Sequence, residues 1–380
     1  MAVRTRTSTG HALFLQPTPA GLVTYAAIDK RIRLLSTSGR VLEELQAMES
    51  LKAFNYPLKC KYIVTGKCNQ RCYHCYAESR FQISGLGTDD AIKVIDHIAE
   101  AGTLFIEFFG GEVGLRSDFV ELLRRAADRN LVISFFTNGT LFERHHLAEF
   151  PPSDSFSGIV VSILAGTEAE HDRLCRFKGA WERAWNFAET LRDAGYPVSL
   201  SVSVTRENAT SLNRLMCVAE SRRLRLRTIF NTYSEISRRR DILNLALNDD
   251  EFLELGRATP SLAKMRFSYK PCFGGSVTYA IDPNGDLLAC DHVTTSLGNV
   301  LKDPIAPLWA ATEAREFSRQ VYDTPDGCRS CPDELRQYCT YCPASTLNAG
   351  IPHAEWVAHF CALAKRKRLM HFEAFRTGRS

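Results

Sequence analysis

The sequence predicts an α/β protein: a partial, open (βα)6 barrel with a small β-rich unit before it and a cysteine-rich domain after it. Three observations lead there. Between Tyr62 and Thr232, six strand-like runs alternate with amphipathic stretches, the pattern of parallel strands joined by helical crossovers. Six such units are too few to close an eight-stranded barrel. N-terminal to Pro57 the apolar runs are short and broken by Pro and Gly, and seven of the thirteen cysteines lie from Cys272 onward.

Element by element, ALFLQ, GLVTYAAI and RIRLLS read as short strands, and TSGRVLEELQAM reads as a helix with Thr37 or Ser38 as its N-cap. The barrel strands are expected at Tyr62–Thr65, Leu104–Phe109, Val132–Thr137, Ile159–Leu164, Val198–Thr205 and Leu226–Thr232. Between them, SDFVELLRRAADRN and AWERAWNFAETLRDAG carry apolar residues at three- and four-residue spacing and end at Asn or Gly, as helices do; DDAIKVIDHIAEAG is a third such stretch. In SLSVSVT, Ser199, Ser201 and Ser203 share one strand face and Leu200, Val202 and Val204 the other, so the serines either line the barrel or face solvent. A basic, helix-prone connector, SRRRDILNLALNDDEFLELGRA, follows. In the tail, SVTYAIDPNGDLLAC is a hairpin signal, with strand residues on either side of Asp-Pro-Asn-Gly. The resulting division is 1–56, 57–235, 236–271 and 272–380.

Composition narrows the function. With 380 residues, 45% apolar and 24% charged, the chain can bury a large core without crosslinks. No apolar run approaches the ~18 residues a membrane span needs. MAVRTRTSTG lacks a signal-peptide core, which predicts a cytoplasmic protein. A net charge of +4 is too small to point to nucleic acid. An odd number of cysteines in such a chain favours metal or redox chemistry over disulfides. Cys60, Cys175 and Cys217 stand apart from the clusters and are expected to be ordinary buried thiols.

CNQRCYHC, with Cys68, Cys72 and Cys75, directly follows the first barrel strand, at the strand end where α/β folds bind ligands. Three thiolates hold a metal cluster while leaving one iron open; the competing reading is a zinc site with His74 as fourth ligand. The second strand runs into Gly110-Gly111-Glu112, the third ends at Thr137-Asn138-Gly139, and the fourth carries Ser162. On these residues the chain resembles the radical S-adenosylmethionine (SAM) enzymes. The resemblance implies that Cys68, Cys72 and Cys75 hold a [4Fe–4S] cluster. It implies that SAM chelates the open iron and is bound by Gly110, Gly111, Glu112, Asn138 and Ser162. A 5′-deoxyadenosyl radical would then abstract a hydrogen atom from substrate, with an electron donor such as ferredoxin or flavodoxin supplying the electron.

The tail carries Cys272, a Gly285-x4-Cys290 hairpin, Cys328, Cys331, Cys339, Cys342 and a last Cys361. It resembles the SPASM extension of radical SAM enzymes that modify peptides, which binds one or two auxiliary iron–sulfur clusters. The middle run departs from that pattern: C-x7-C-x2-C stands where C-x5-C-x3-C is usual. Carried over, Cys272, Cys290 and Cys342 would hold an inner cluster, and Cys328, Cys331, Cys339 and Cys361 an outer one; structural zinc is the competing reading. Asp291 matches the general base of sulfatase-maturing members, with His292 as a second candidate. Residues 12–48 resemble the three strands and helix of a winged-helix unit that captures a leader peptide, or form a cap on the barrel. Seven arginines between Arg222 and Arg240 are either a solvated face or a contact for an acidic leader. The function implied is modification of a ribosomally made precursor peptide by crosslinking, epimerisation or side-chain oxidation. The alternatives are a small-molecule radical SAM enzyme and a zinc-stabilised binding protein.

Overall fold

The computed structural model describes residues 2–6, 12–18, 21–26, 31–35, 41–44, 56–75, 77, 82–230, 244–265, 267, 274–310, 328, 330–344 and 353–378. Cys272, Thr37, Ser38 and Arg238 to Arg240 lie outside these residues.

The barrel strands are β6 (Lys59–Thr65), β7 (Phe105–Gly110), β8 (Val132–Thr137), β9 (Phe156–Ser162), β10 (Val198–Ser203) and β11 (Leu226–Ile229). They lie side by side in chain order, all parallel. The crossovers include α1 (Thr88–Glu100), α2 (Phe119–Asp128), α3 (Glu168–Cys175), α4 (Ala180–Asp193) and α5 (Leu212–Ser221). Strand alternation divides the side chains. On β6, Cys60, Tyr62 and Val64 join the core under the helices, together with Ile106, Phe108, Ile133 and Phe135 from the next two strands. The other face of the strands turns inward. On β10, Leu200 and Val202 pack into the core while Ser201 and Ser203 line the interior, which settles which way the serine face points.

The tail does not begin a separate sheet. β12 (Thr278–Ile281) and β13 (Asp286–Leu288) form the expected antiparallel hairpin, but β12 also pairs in parallel with β6, Thr278 opposite Lys59. With β14 (Ser296–Asn299) the sheet has nine strands, in the order β11-β10-β9-β8-β7-β6-β12-β13-β14. The first cysteine loop and the first described tail cysteine, Cys290, therefore follow strands of the same sheet, β6 and β13.

The N-terminal unit differs from expectation. It is a five-stranded antiparallel meander of β1 (Val3–Arg6), β2 (Ala12–Thr18), β3 (Gly21–Ala26), β4 (Arg31–Leu35) and β5 (Val41–Glu44). The helix expected from TSGRVLEELQAM is contradicted at Val41–Glu44, which pairs with β4, Leu35 opposite Val41. Pairing with a neighbouring strand overrides local helix propensity here. Phe14, Val23 and Tyr25 of this sheet pack against Leu58, Leu104, Phe105, Val132 and Val277. Those partners sit at the N-terminal ends of β6, β7, β8 and β12, so the meander caps the bottom of the barrel. Arg4 fastens its first strand through a salt bridge to Asp154.

C-terminal to the barrel, α6 (Asp249–Ala258) starts at an Asn248–Glu251 capping box, and α7 (Ile305–Ala310) and the short α8 (Asp333–Arg336) follow. The long α9 (His353–Thr377) packs along α6. Gly256 permits the approach: a Cβ there would stand 2.4 Å from the Met370 carbonyl oxygen.

Candidate active site

The cysteine loop leaves β6 at Thr65 and is tied to the ends of β7 and β8, to the end of α3 and to the segment after β10. The Gly111 N–H donates to Thr65 O at 2.9 Å and the Glu112 N–H to Lys67 O at 2.8 Å. These bonds explain the paired glycines. A Cβ on Gly111 would lie 2.3 Å from both the Gly66 and Lys67 carbonyl oxygens, so the close approach made there is to the cysteine loop itself. Asn138 Nδ2 donates to Asn69 Oδ1 at 2.8 Å, and Asn69 Nδ2 to Thr140 Oγ1 at 2.9 Å. The Arg71 and Tyr73 N–H groups donate to Cys175 O and Leu174 O at the end of α3, and the Tyr73 hydroxyl bonds Thr205.

This loop and the strand ends enclose a cavity of ≈ 320 Å³. Cys68, Cys72, Cys75, Gly110, Gly111, Asn138 and Ser162 all line it, and so do Asp291 and His292 from the tail. Glu112 does not. Its side chain is buried, Oε1 accepting from Thr137 Oγ1 (2.6 Å) and the Gly114 N–H (2.9 Å), Oε2 from the Asn138 N–H (2.6 Å). It braces the end of β8 instead of facing the cavity. Gly139 adopts φ +73°, so the Asn-Gly pair is a turn, of which Asn138 lines the cavity.

The donor set suits a soft cation. Burial pushes the Cys68 thiol up to about 11, with the Cys75 sulfur adding to the rise, and burial together with the nearby Cys75 and Cys68 sulfurs raises Cys72 as well. The Gln70 N–H donates to Cys68 Sγ at 3.4 Å, and a soft cation held by the three sulfurs would stabilise them as thiolates. His74 also lines the cavity; burial holds its ring neutral, lowering it to about 4, and its Nδ1 has no hydrogen-bond partner among the described residues.

Asp291 is buried, and burial alone would raise its pKa. The Lys61 ammonium, 2.8 Å from Oδ1, reverses this, aided by His292, and holds the carboxyl well below the usual carboxylate range. Lys61 went unnoticed in the sequence. Strand alternation in KCKYIVT was the available signal: with Cys60 and Tyr62 packed outward, Lys61 must point inward, where it also lies 5.4 Å from the Phe109 ring centroid.

In the tail, burial raises the Cys328 thiol, and the Cys361, Cys339 and Cys331 sulfurs lie near enough to add to that rise. Cys290 and Cys342 pack against one small cluster with Ala280, Leu288 and Val293. The fold thus gathers the expected outer four and two of the expected inner three; the third, Cys272, lies outside the described residues. Cys60 and Cys175 are buried thiols as expected, but Cys217 is exposed: α5 turns Leu212, Leu215 and Ala219 inward and Cys217 outward. Arg222 is engaged by Glu189 at 3.3 Å and the Trp185 ring at 4.6 Å. His171, Asp172 and Cys175 present donor atoms within 4.8 Å of one another, but they serve the fold. His171 Nδ1 accepts the Leu164 N–H, which puts the neutral ring's proton on Nε2, and Asp172 accepts the Gly179 and Trp181 N–H groups at the start of α4.

Comparison with known proteins agrees with this architecture. The radical SAM superfamily profile matches residues 62–216, and an iron–sulfur cluster-binding SPASM profile matches residues 272–332. An AdoMet-dependent heme synthase of Nitratidesulfovibrio vulgaris is 26% identical, the match covering 77% of this chain and 90% of that protein. A PqqA peptide cyclase of Granulibacter bethesdensis is 26% identical over 70% of this chain and 78% of its own length. The mycofactocin maturase MftC of Mycolicibacterium smegmatis is 28% identical over 74% and 76%. Among solved structures, Streptococcus suis SuiB bound to its precursor peptide SuiA superposes with a TM-score of 0.63 at 14% identity, covering 91% of this chain and 97% of that one. No helix among the described residues is long and apolar enough to cross a membrane.

Proposed function

The chain belongs to the radical SAM superfamily and carries a SPASM domain, and from that premise we propose that it modifies a ribosomally made precursor peptide. The observation that carries this reading is the shared cavity: the three cysteines of the β6 loop and Asp291 of the tail line one space. A side chain held there would meet the radical source on one wall and a proton acceptor on another. The relatives named as a peptide cyclase and a mycofactocin maturase support a peptide substrate.

In this reading Cys68, Cys72 and Cys75 hold the [4Fe–4S] cluster. Gly110, Gly111, Asn138 and Ser162 form the SAM wall, and Glu112 keeps that wall in place. When bound, the cluster and SAM supply a 5′-deoxyadenosyl radical that removes a substrate hydrogen atom. Asp291 receives the proton released when the substrate is oxidised. Lys61 keeps Asp291 ionised and so in its acceptor form, at the expense of basicity, so proton transfer requires that the pair loosen. Cys272, Cys290 and Cys342 hold the inner auxiliary cluster, and Cys328, Cys331, Cys339 and Cys361 the outer. Residues 1–56 act as a cap on the barrel, 57–235 as the radical domain, 236–271 as a connector and 272–380 as the SPASM domain. A cytoplasmic, reducing setting with a ferredoxin or flavodoxin as electron donor fits these centres.

The heme synthase relative favours a second reading, in which the same chemistry acts on a small molecule. One experiment separates the two. The anaerobically reconstituted enzyme is incubated with SAM, reductant and candidate precursor peptides drawn from the short reading frames of its source genome, and the peptides are analysed by mass spectrometry. A residue-specific mass change dependent on SAM is expected in one of them. Peptides that all stay unaltered, with 5′-deoxyadenosine still formed, would contradict the peptide reading.

A further inference from the structure

The inward stripe of α9 consists of Phe360, Leu363, Ala364, Met370 and Ala374, each at most 4% exposed. Helical spacing places position 367 in the middle of that stripe, where an apolar residue is expected. Lys367 occupies it and is itself only 2% exposed. Its Nζ donates to Thr340 Oγ1 at 2.9 Å, on the residue that directly follows Cys339. Among the described residues no carboxylate pairs with it, so within them a neutral hydroxyl is what offsets the desolvation of the ammonium.

An anionic neighbour would remove that cost. Cys339 is one of the four sulfurs gathered at the outer site, and a cluster ligated by four thiolates carries net negative charge that grows on reduction. We propose that Lys367 is a positioning residue for charge: its buried ammonium stabilises the outer auxiliary cluster and raises that cluster's reduction potential. The proposal rests on the assignment of Cys328, Cys331, Cys339 and Cys361 to an iron–sulfur cluster. The alternative source of anionic charge, zinc tetrathiolate, has no redox couple.

The test is a potentiometric titration followed by electron paramagnetic resonance on the full-length reconstituted protein. The outer signal is identified as the one lost in Cys361→Ala. In Lys367→Met and Lys367→Gln, removal of the charge should disfavour reduction at least about tenfold, a fall of about 59 mV for a one-electron couple. Lys367→Arg should stay within about threefold of the parent. Failure of both neutral variants to load the outer cluster, with Lys367→Arg loaded, would also support the proposal. A neutral variant whose outer cluster titrates within twofold of the parent overturns it, and so does loss of the cluster in all three variants, which would show a need for lysine's shape and not its charge. Parent protein with no iron beyond that lost in Cys68→Ala/Cys72→Ala/Cys75→Ala would overturn the cluster assignment as well, so the two failures are distinct.

Discussion

At the N-terminal ends of the barrel strands, Leu58, Leu104, Val132 and Val277 meet Phe14, Val23 and Tyr25 of the meander in an apolar seal. At the C-terminal ends of the same strands, cysteines, glycines, Asn138, Ser162 and the serines of β10 surround an open cavity. The strands are common to both ends, so the difference lies in what each end must exclude or admit. The bottom buries apolar surface and contributes stability. The top leaves backbone and thiols accessible, and is held by hydrogen bonds between the cysteine loop and its neighbours. Mutations should therefore separate the two ends cleanly, stability at the bottom and chemistry at the top.

The largest separation is expected at Asp291. Asp291→Asn should leave 5′-deoxyadenosine formation intact while lowering modified product by ~10²–10⁴, the usual loss for a removed general base. Liquid chromatography of both products from one reaction measures the ratio, and an unchanged ratio would move proton acceptance to His292. At the opposite end, Phe14→Ala should cost about 3–5 kcal/mol of unfolding free energy in a denaturant titration. The folded, cluster-loaded fraction should keep its rate of SAM cleavage within about twofold, and a larger fall would show that the seal reaches the cavity. Gly111→Ala places a methyl against two fixed carbonyl oxygens, an overpacking of ~1–3 kcal/mol confined to the cysteine loop. It should reduce iron at the first site, and SAM cleavage with it, while tail iron remains.

The smallest effect concerns acid. Burial lowers His171 to about 4, so the folded state favours the neutral ring that accepts the Leu164 N–H beneath the cysteine loop. A depressed folded value means the stabilisation is present above the unfolded value of about 6.5 and is lost as pH falls through about 4. Melting temperatures across that window should fall less steeply in His171→Phe than in the parent; parallel slopes would remove His171 from the account.

The two ends also differed in legibility. The top was readable because its residues are chemically rare: the CNQRCYHC spacing, the paired glycines and the tail cysteines announce themselves at fixed offsets from strands that alternate with helices. The direction of the serine face needed the fold, since alternation gives two faces and not which one is inside. Lys61 was hidden because a lysine beside a strand start reads as solvated until Cys60 and Tyr62 are seen to be buried. Lys367 was hidden for the converse reason, a charge inside an apolar stripe whose partners are remote in sequence. At the bottom, Val41–Glu44 was misread because its strand exists only through pairing with β4. The parallel pairing of β12 with β6 is a contact between residues more than 200 positions apart, beyond the reach of local pattern.

The central claim is that the top of the barrel is a site of reductive SAM cleavage. The most direct measurement is 5′-deoxyadenosine formed by the anaerobically reconstituted protein with SAM and dithionite, beside the Cys68→Ala/Cys72→Ala/Cys75→Ala variant. The parent should hold ~12 iron ions if all three clusters are [4Fe–4S], and should form 5′-deoxyadenosine; the variant should retain ~8 and form none. SAM cleavage that continues in the variant, or is absent from the fully loaded parent, would contradict the account.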